Sequence, residues 1–195
     1  VSGCASFGIF AELANTCEGL IPFEFFEEDV YFDEKRFREE YGISPKQFVD
    51  VKVGDWWHEA VDYVVSKGYM NGMDTSHFGP NLELNRAMMV TILYRIAGSP
   101  EVDGAPAFTD VPDNVFYTDP VVWASANGIT TGLTANLFAP DKSLTRQELV
   151  TFLYRFAKYM DYDVTKTTDL SAYTDAAKVQ PYATEAFQWA VASGV

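Results

Sequence analysis

From Phe48 onward the apolar and polar positions of the chain recur with a period of sixty residues, and the stretch Phe48 to Ala97 lies over Phe108 to Ala157 without a gap. A fixed period of this length is the signature of a repeat architecture. The shift pairs Phe48 with Phe108, Asp50 with Asp110, Gly68 with Gly128, Gly72 with Gly132, Phe78 with Phe138 and Pro80 with Pro140. Agreement tightens toward the end of each unit, where Leu84-Asn85-Arg86 faces Leu144-Thr145-Arg146 and Leu93-Tyr94-Arg95 recurs as Leu153-Tyr154-Arg155. A third copy begins at Tyr173-Thr174-Asp175, passes through Tyr182, Trp189 and Gly194, and is about half complete at Val195.

Each unit predicts two helices joined by a glycine-punctuated loop. Asp55 to Lys67 and Asn114 to Ala126 carry apolar residues at spacings of three and four, and Gly68 and Gly128 stop them. The loops Asn71-Gly72-Met73-Asp74 and Thr131-Gly132-Leu133-Thr134 supply turn residues, and Phe78 or Phe138 then enters the core ahead of a proline. Second helices begin after Leu84 and Leu144. In the second unit Thr145-Arg146-Gln147-Glu148 has the form of a capping box; in the first, Asn85 can cap but Met88 stands in the acid's place, so a weaker helix start is expected there. The fold class is mainly α, organised as an N-terminal extension over 1–44, repeats over 46–100 and 106–160, and a partial repeat over 171–195.

The extension is harder to read. An apolar opening from Phe7 to Leu13 leads to a break at Gly19 to Pro22, an acidic aromatic run from Phe23 to Phe32, and a predicted helix from about Asp33 to Tyr41 that Gly42 ends. Cys4 and Cys17 permit either one disulfide closing a short loop or two free thiols. The start at Val1 suggests a processed or excised piece of a longer protein.

Composition narrows the function classes. Nearly half the residues are hydrophobic, enough for a real core, and the formal charge of −14 opposes nucleic acid. No apolar run approaches the roughly 20 residues of a membrane span. The only histidines, His58 and His77, occupy non-corresponding repeat positions, and no stretch has the regular spacing of a calcium loop, so no metal and no cofactor is predicted.

Phe108-Thr109-Asp110-Val111, Phe116-Tyr117, Gly128-Ile129-Thr130-Thr131-Gly132, Phe138-Ala139-Pro140 and Leu144-Thr145-Arg146-Gln147-Glu148, in that order, resemble S-layer homology repeats. The resemblance covers about residues 46 to 195. The first unit departs from it at Asn85-Arg86-Ala87-Met88, and the third has no such segment. It implies a pseudo-threefold helical arrangement whose inter-repeat grooves hold an acidic, often pyruvylated, secondary cell-wall polysaccharide. Such modules anchor exported proteins without covalent bonds and are not themselves enzymes.

Candidate contacts follow from chemistry. Arg86 and Arg146 each place a forked cation at the first turn of a helix, beside unpaired amides and the positive end of the dipole, a setting suited to a carboxylate or phosphate; the alternative is an ion pair with one of the many acids. Arg95 and Arg155 lie half a turn away around the helix and are expected to be structural. Trp56 and Phe116 are candidate platforms for a sugar face, with core packing as the stronger alternative. Trp123, Trp189 and Tyr63 are expected in the core. Asp50 and Asp110 could bind a sugar hydroxyl, with capping or inter-repeat bonding favoured. Gly72 and Gly132 let the backbone approach a helix or the ligand closely.

Two rivals remain in view. Gly3-Cys4-Ala5-Ser6-Phe7-Gly8, read as a cysteine opening an apolar helix, faintly resembles the nucleophile segment of papain-like peptidases, but catalysis there lacks a partner base. A protein–protein role is the other: the half-repeat would leave apolar surface for residues 1–44, a second copy or another chain to cover, and the first of these is expected.

Overall fold

The computed structural model describes residues 48–195 and the backbone of 8–13 and 17–22. The chain divides into two compact units, residues 1–82 and 83–195, each taken by itself below. Among the described residues the architecture is mainly helical: α1 His58–Ser66, α2 Arg86–Ile96, α3 Thr118–Ala126, α4 Arg146–Tyr159 and α5 Thr184–Ser193, with single 3-10 turns at Ala176–Lys178 and Pro181–Ala183.

In the first unit, β1 Gly8–Leu13 and β2 Cys17–Pro22 form an antiparallel hairpin with Ile9 opposite Ile21, Phe10 opposite Leu20 and Glu12 opposite Glu18. This corrects the peptidase reading over its described part, because Gly8–Leu13, which would have to continue the nucleophile's helix, is a strand. Cys4, the run from Phe23 to Phe32 and the helix expected over 33–41 lie outside the described residues. Further along, Phe48 meets Phe78 edge to face at 5.5 Å, and Val61, Tyr63 and Val64 of α1 are buried. Lys67 caps α1, and Gly68, at φ 73°, and Tyr69 return their amides to Val65 and Val64 in a Schellman closure.

The second unit is built on α2 to α5. Val90 and Leu93 of α2, Val121 and Trp123 of α3, and Phe152, Phe156 and Ala157 of α4 make its core. Trp123 is the hub, with Tyr94 at 5.5 Å, Tyr159 at 5.3 Å and Phe156 at 6.3 Å, and its indole N–H donates to the Tyr159 hydroxyl at 3.4 Å. Trp189 on α5 is likewise buried, against Tyr154 of α4 at 5.5 Å. The aromatics expected in the core are there.

Both first helices begin later than their apolar spacing predicts, at His58 rather than Asp55 and at Thr118 rather than Asn114. Local hydrogen bonding decides this. Asp55 accepts from the Lys52 amide at 2.7 Å and holds a turn, while Thr118 accepts from the Val115 amide at 3.0 Å and donates to the Pro112 carbonyl at 2.9 Å. Asn114 itself sits at φ 62°, incompatible with a helix.

Candidate functional site

The motif aspartates are clamps. Asp110 accepts from the Phe138 amide at 2.8 Å and the Ala139 amide at 2.7 Å, and Asp50 does the same for Phe78 at 2.9 Å and Gly79 at 2.8 Å. Each carboxylate therefore spans its own repeat, tying the start of the first helix's approach to the Phe-x-Pro loop. It neither caps a helix nor bonds a neighbouring repeat, which corrects the favoured expectation. Burial works against the ionised form of Asp50, but the Phe78 and Gly79 amides outweigh it and hold its pKa below the ordinary carboxylate value.

The loop glycines serve the same clamp. At Gly132, φ is 81°, and an added Cβ would stand 2.5 Å from the Phe108 ring and 2.8 Å from the Leu137 carbonyl; at Gly72, φ is 80°, with the Phe48 ring at 2.5 Å and the His77 carbonyl at 2.8 Å. The close approach these positions permit is to the first aromatic of the motif and to the loop's own backbone. No second helix takes that place.

The two arginines, sixty residues apart in sequence, have different surroundings. Arg86 is only 4% exposed. Its Nε donates to the Phe138 carbonyl at 2.7 Å, its terminal nitrogen lies 3.5 Å from Glu148 Oε1, and its guanidinium lies over Phe138 at 4.9 Å and Phe152 at 5.3 Å. The backbone around it is equally engaged: the amides of Arg86 and Ala87 donate to the Lys142 and Pro140 carbonyls at 3.1 and 2.9 Å, and Leu144 returns a bond to Leu84 at 2.9 Å across the bridge between Asn85 and Ser143. Asn85 caps through the Met88 amide at 2.8 Å. The start of α2, expected to be the weaker of the two, is thus reinforced by the second repeat's loop.

Arg146 is exposed at the start of α4. The predicted capping box is present: the Glu148 amide donates to Thr145 Oγ1 at 3.3 Å, and the Thr145 amide to Glu148 Oε2 at 3.0 Å. Among the described residues, however, no acceptor takes the Arg146 or Gln147 amide. Lys142 Nζ lies 2.8 Å from both oxygens of Glu148. Burial pushes the Glu148 carboxyl up, but Lys142 and Thr145 more than offset it and its pKa falls below the ordinary value. Desolvation lowers that of Arg86, with Glu148 opposing. Arg95 and Arg155 are half-buried, and Arg155 reaches the Ile129 carbonyl at 3.5 Å.

Phe116 is 61% exposed and Trp56 41%, so neither is core, contrary to the stronger expectation. Each is held edge-on by its neighbour, Phe116 by Tyr117 at 5.0 Å and Trp56 by Trp57 at 5.4 Å. Lys142 and Tyr182 escaped the sequence reading. Lys142 was legible as a cation six residues ahead of the capping acid; Tyr182, exposed and near enough to Glu148 and Arg86 to feel both charges, was legible as the third copy's counterpart of Trp56 and Phe116, each seven residues ahead of its buried aromatic. Among the described residues no cluster of histidine, cysteine, aspartate or glutamate has the form of a metal site, and no helix is long and apolar enough to cross a membrane.

Clamped Phe-x-Pro loops, side-chain-capped second helices and an arginine at the start of each mark both repeats, and the family model of the S-layer homology domain matches residues 47–88 and 107–150. The chain belongs to that family. It is 33% identical over 144 residues to the surface-layer 125 kDa protein of Lysinibacillus sphaericus, covering 74% of this chain and 12% of that protein. The S-layer protein sap of Bacillus anthracis is 31% identical over 109 residues, covering 55% of this chain and 13% of its own length. An endoglucanase of Bacillus sp. (strain KSM-635) is 25% identical over 141 residues, 72% of this chain and 15% of the enzyme. The chain therefore spans a small fraction of each of these relatives.

Proposed function

We propose that this chain holds an exported protein at the bacterial cell surface by binding an acidic, pyruvylated secondary cell-wall polysaccharide, and that it carries no catalysis of its own. The observation that carries the reading is the start of α4. In a chain of net charge −14, Arg146 stands exposed there with two amides without acceptors, while the first-turn acid Glu148 is already paired with Lys142. Partial positive charge from the helix end adds to the forked cation, a setting that favours a carboxylate. Family membership supplies the wall as the surface.

In this reading Arg146 meets the acidic group, and Phe116 and Trp56 offer exposed rings for sugar faces. Asp50, Asp110, Gly72 and Gly132 act by fixing the loops. Arg86 contributes through the repeat junction that positions α4. The test is sedimentation of the purified chain with Gram-positive sacculi before and after their secondary polysaccharide is stripped. Binding to intact walls that disappears on stripping, and that Arg146→Ala and Phe116→Ala each weaken while leaving the thermal midpoint unchanged, is the expected result. Equal binding to stripped walls, or none to several intact preparations, refutes it.

A further inference from the structure

Asparagine followed by glycine occurs twice in this chain, at Asn71-Gly72 and at Asn127-Gly128. The dipeptide is chemically special because glycine, lacking a side chain, leaves its backbone nitrogen open to the preceding carboxamide, and the two can close a five-membered ring. Both asparagines are exposed, so access to solvent does not separate them. Their hydrogen bonds do.

Asn127 is the C-cap of α3, at φ −99° and ψ 11°. Its side-chain nitrogen donates to the Trp123 carbonyl at 2.8 Å, and the Gly128 amide donates to the Ser125 carbonyl at 3.2 Å. Both partners of the ring closure are committed to the end of the helix. Asn71 lies outside any helix. Among the described residues no acceptor takes the Gly72 amide, and the contact that Asn71 itself makes leaves that nitrogen unoccupied. The second repeat shows what the first lacks. There the equivalent amide, that of Gly132, donates to Thr130 Oγ1 at 3.1 Å, whereas Met70 stands in the place of Thr130 and has no hydroxyl. Thr131 also stands where the first repeat has Asn71, so the second loop combines a held amide with a side chain that cannot form the ring.

We propose that Asn71-Gly72 is a self-modification site, at which the first repeat deamidates through a succinimide. The Gly72 nitrogen gives up its proton and bonds to Asn71 Cγ, and the side-chain nitrogen leaves with a proton as ammonia. Water then adds at Cγ and restores the backbone as aspartate, or adds at the backbone carbonyl carbon and leaves the chain running through the side chain as isoaspartate. Ammonia is exchanged for water, and nothing is oxidised or reduced. Either product adds a negative charge. Isoaspartate also inserts a methylene into the backbone just ahead of Gly72, where there is little slack: one carbon added to Gly72 would stand 2.5 Å from the Phe48 ring and 2.8 Å from the His77 carbonyl. His77 leads directly into the Phe78 and Gly79 amides that Asp50 clamps. Isoaspartate therefore loosens the first repeat's clamp progressively as the molecule ages. The inference does not depend on glycan binding.

The experiment is incubation of the full chain in mildly alkaline buffer, with peptide mapping by electron-transfer mass spectrometry to distinguish isoaspartate from aspartate at each site. In the folded chain, conversion at Asn127 should be slower than at Asn71 by about tenfold or more, since two hydrogen bonds must open before its ring can close. In urea the two sites should react at similar rates. Met70→Thr, which supplies the hydroxyl of the second repeat, should slow Asn71 severalfold and leave Asn127 unchanged. The thermal midpoint of the aged chain should fall in step with its isoaspartate content, while Asn71→Asp, which adds the charge without the methylene, keeps the parent midpoint. Equal rates at the two sites in the folded chain, or an Asn71 that converts in urea and not when folded, overturn the proposal. An unchanged rate at Asn71 in a folded Met70→Thr chain overturns the part given to the free amide, and an unmoved midpoint at high isoaspartate content overturns the loosening of the clamp.

Discussion

Replacing Arg86 and Arg146 by alanine is the same change at two positions sixty residues apart, and the surroundings of the two side chains predict very different costs. Removing the Arg86 guanidinium strands the Phe138 carbonyl in a buried site, and an unsatisfied group of this kind costs about 1–3 kcal/mol. It also strips Glu148 of its buried partner. Breaking a buried pair typically costs about 3–5 kcal/mol, but Glu148 keeps both contacts to Lys142 at 2.8 Å, so the low end of that range applies. Lost stacking over Phe138 and Phe152 adds to the same cavity rather than as a separate sum. The expected destabilisation is about 3 kcal/mol for Arg86→Ala. For Arg146→Ala it lies within about 0.5 kcal/mol of zero, because the side chain is exposed and a cation at a helix N-terminus opposes the dipole. Urea unfolding followed by tryptophan fluorescence and circular dichroism measures both, and Arg86→Lys should fall between them, since an ammonium cannot reproduce the fork. Free energies for the two alanine variants within 1 kcal/mol of each other, or no coupling between Arg86→Ala and Glu148→Ala in a double-mutant cycle, would refute the assignment of Arg86 as the junction's lock.

Gly132→Ala should cost appreciably more than Gly128→Ala, because both positions have positive φ but only the first Cβ meets the Phe108 ring, at 2.5 Å; thermal midpoints of the pair decide this. Asp110→Ala leaves the Phe138 and Ala139 amides without their acceptor and should destabilise by about 2–3 kcal/mol in urea, a loss that Asp110→Asn restores only in part. Stability should fall on the acid side: Glu148 lies below its ordinary value of 4.5 and Asp50 below 3.8, so their contributions are full above those values and are lost as pH drops through the folded-state values. Unfolding free energy measured from neutral pH downward checks this, and Lys142→Met should flatten the acid limb by removing the principal partner of Glu148.

What the sequence could and could not reveal follows from how local each determinant is. The capping box at Thr145 and Glu148, the glycine stops after α1 and α3, and the burial of Trp123 and Trp189 depend on neighbours within a few positions or on helical spacing, and pattern alone carries them. The helix starts were misplaced because side chains of Asp55 and Thr118 build turns that apolar spacing does not register. The aspartate clamps span 28 and 29 residues, and a carboxylate bonded to amides at that distance in sequence looks the same on paper as one waiting for a sugar. The arginines make the point most sharply. Identical motif positions predicted identical roles, yet the role is set by what lies opposite: a Phe-x-Pro loop covers the start of α2 and takes in its arginine, whereas at the start of α4 the Gln180 amide bonds the Gln147 side chain at 2.7 Å and Arg146 stays exposed. In a repeat protein each unit is the other's environment, so the function of a motif residue depends on its place in the array as well as on its identity. An arginine buried by the next repeat is structural, and the same arginine facing solvent is available to a ligand.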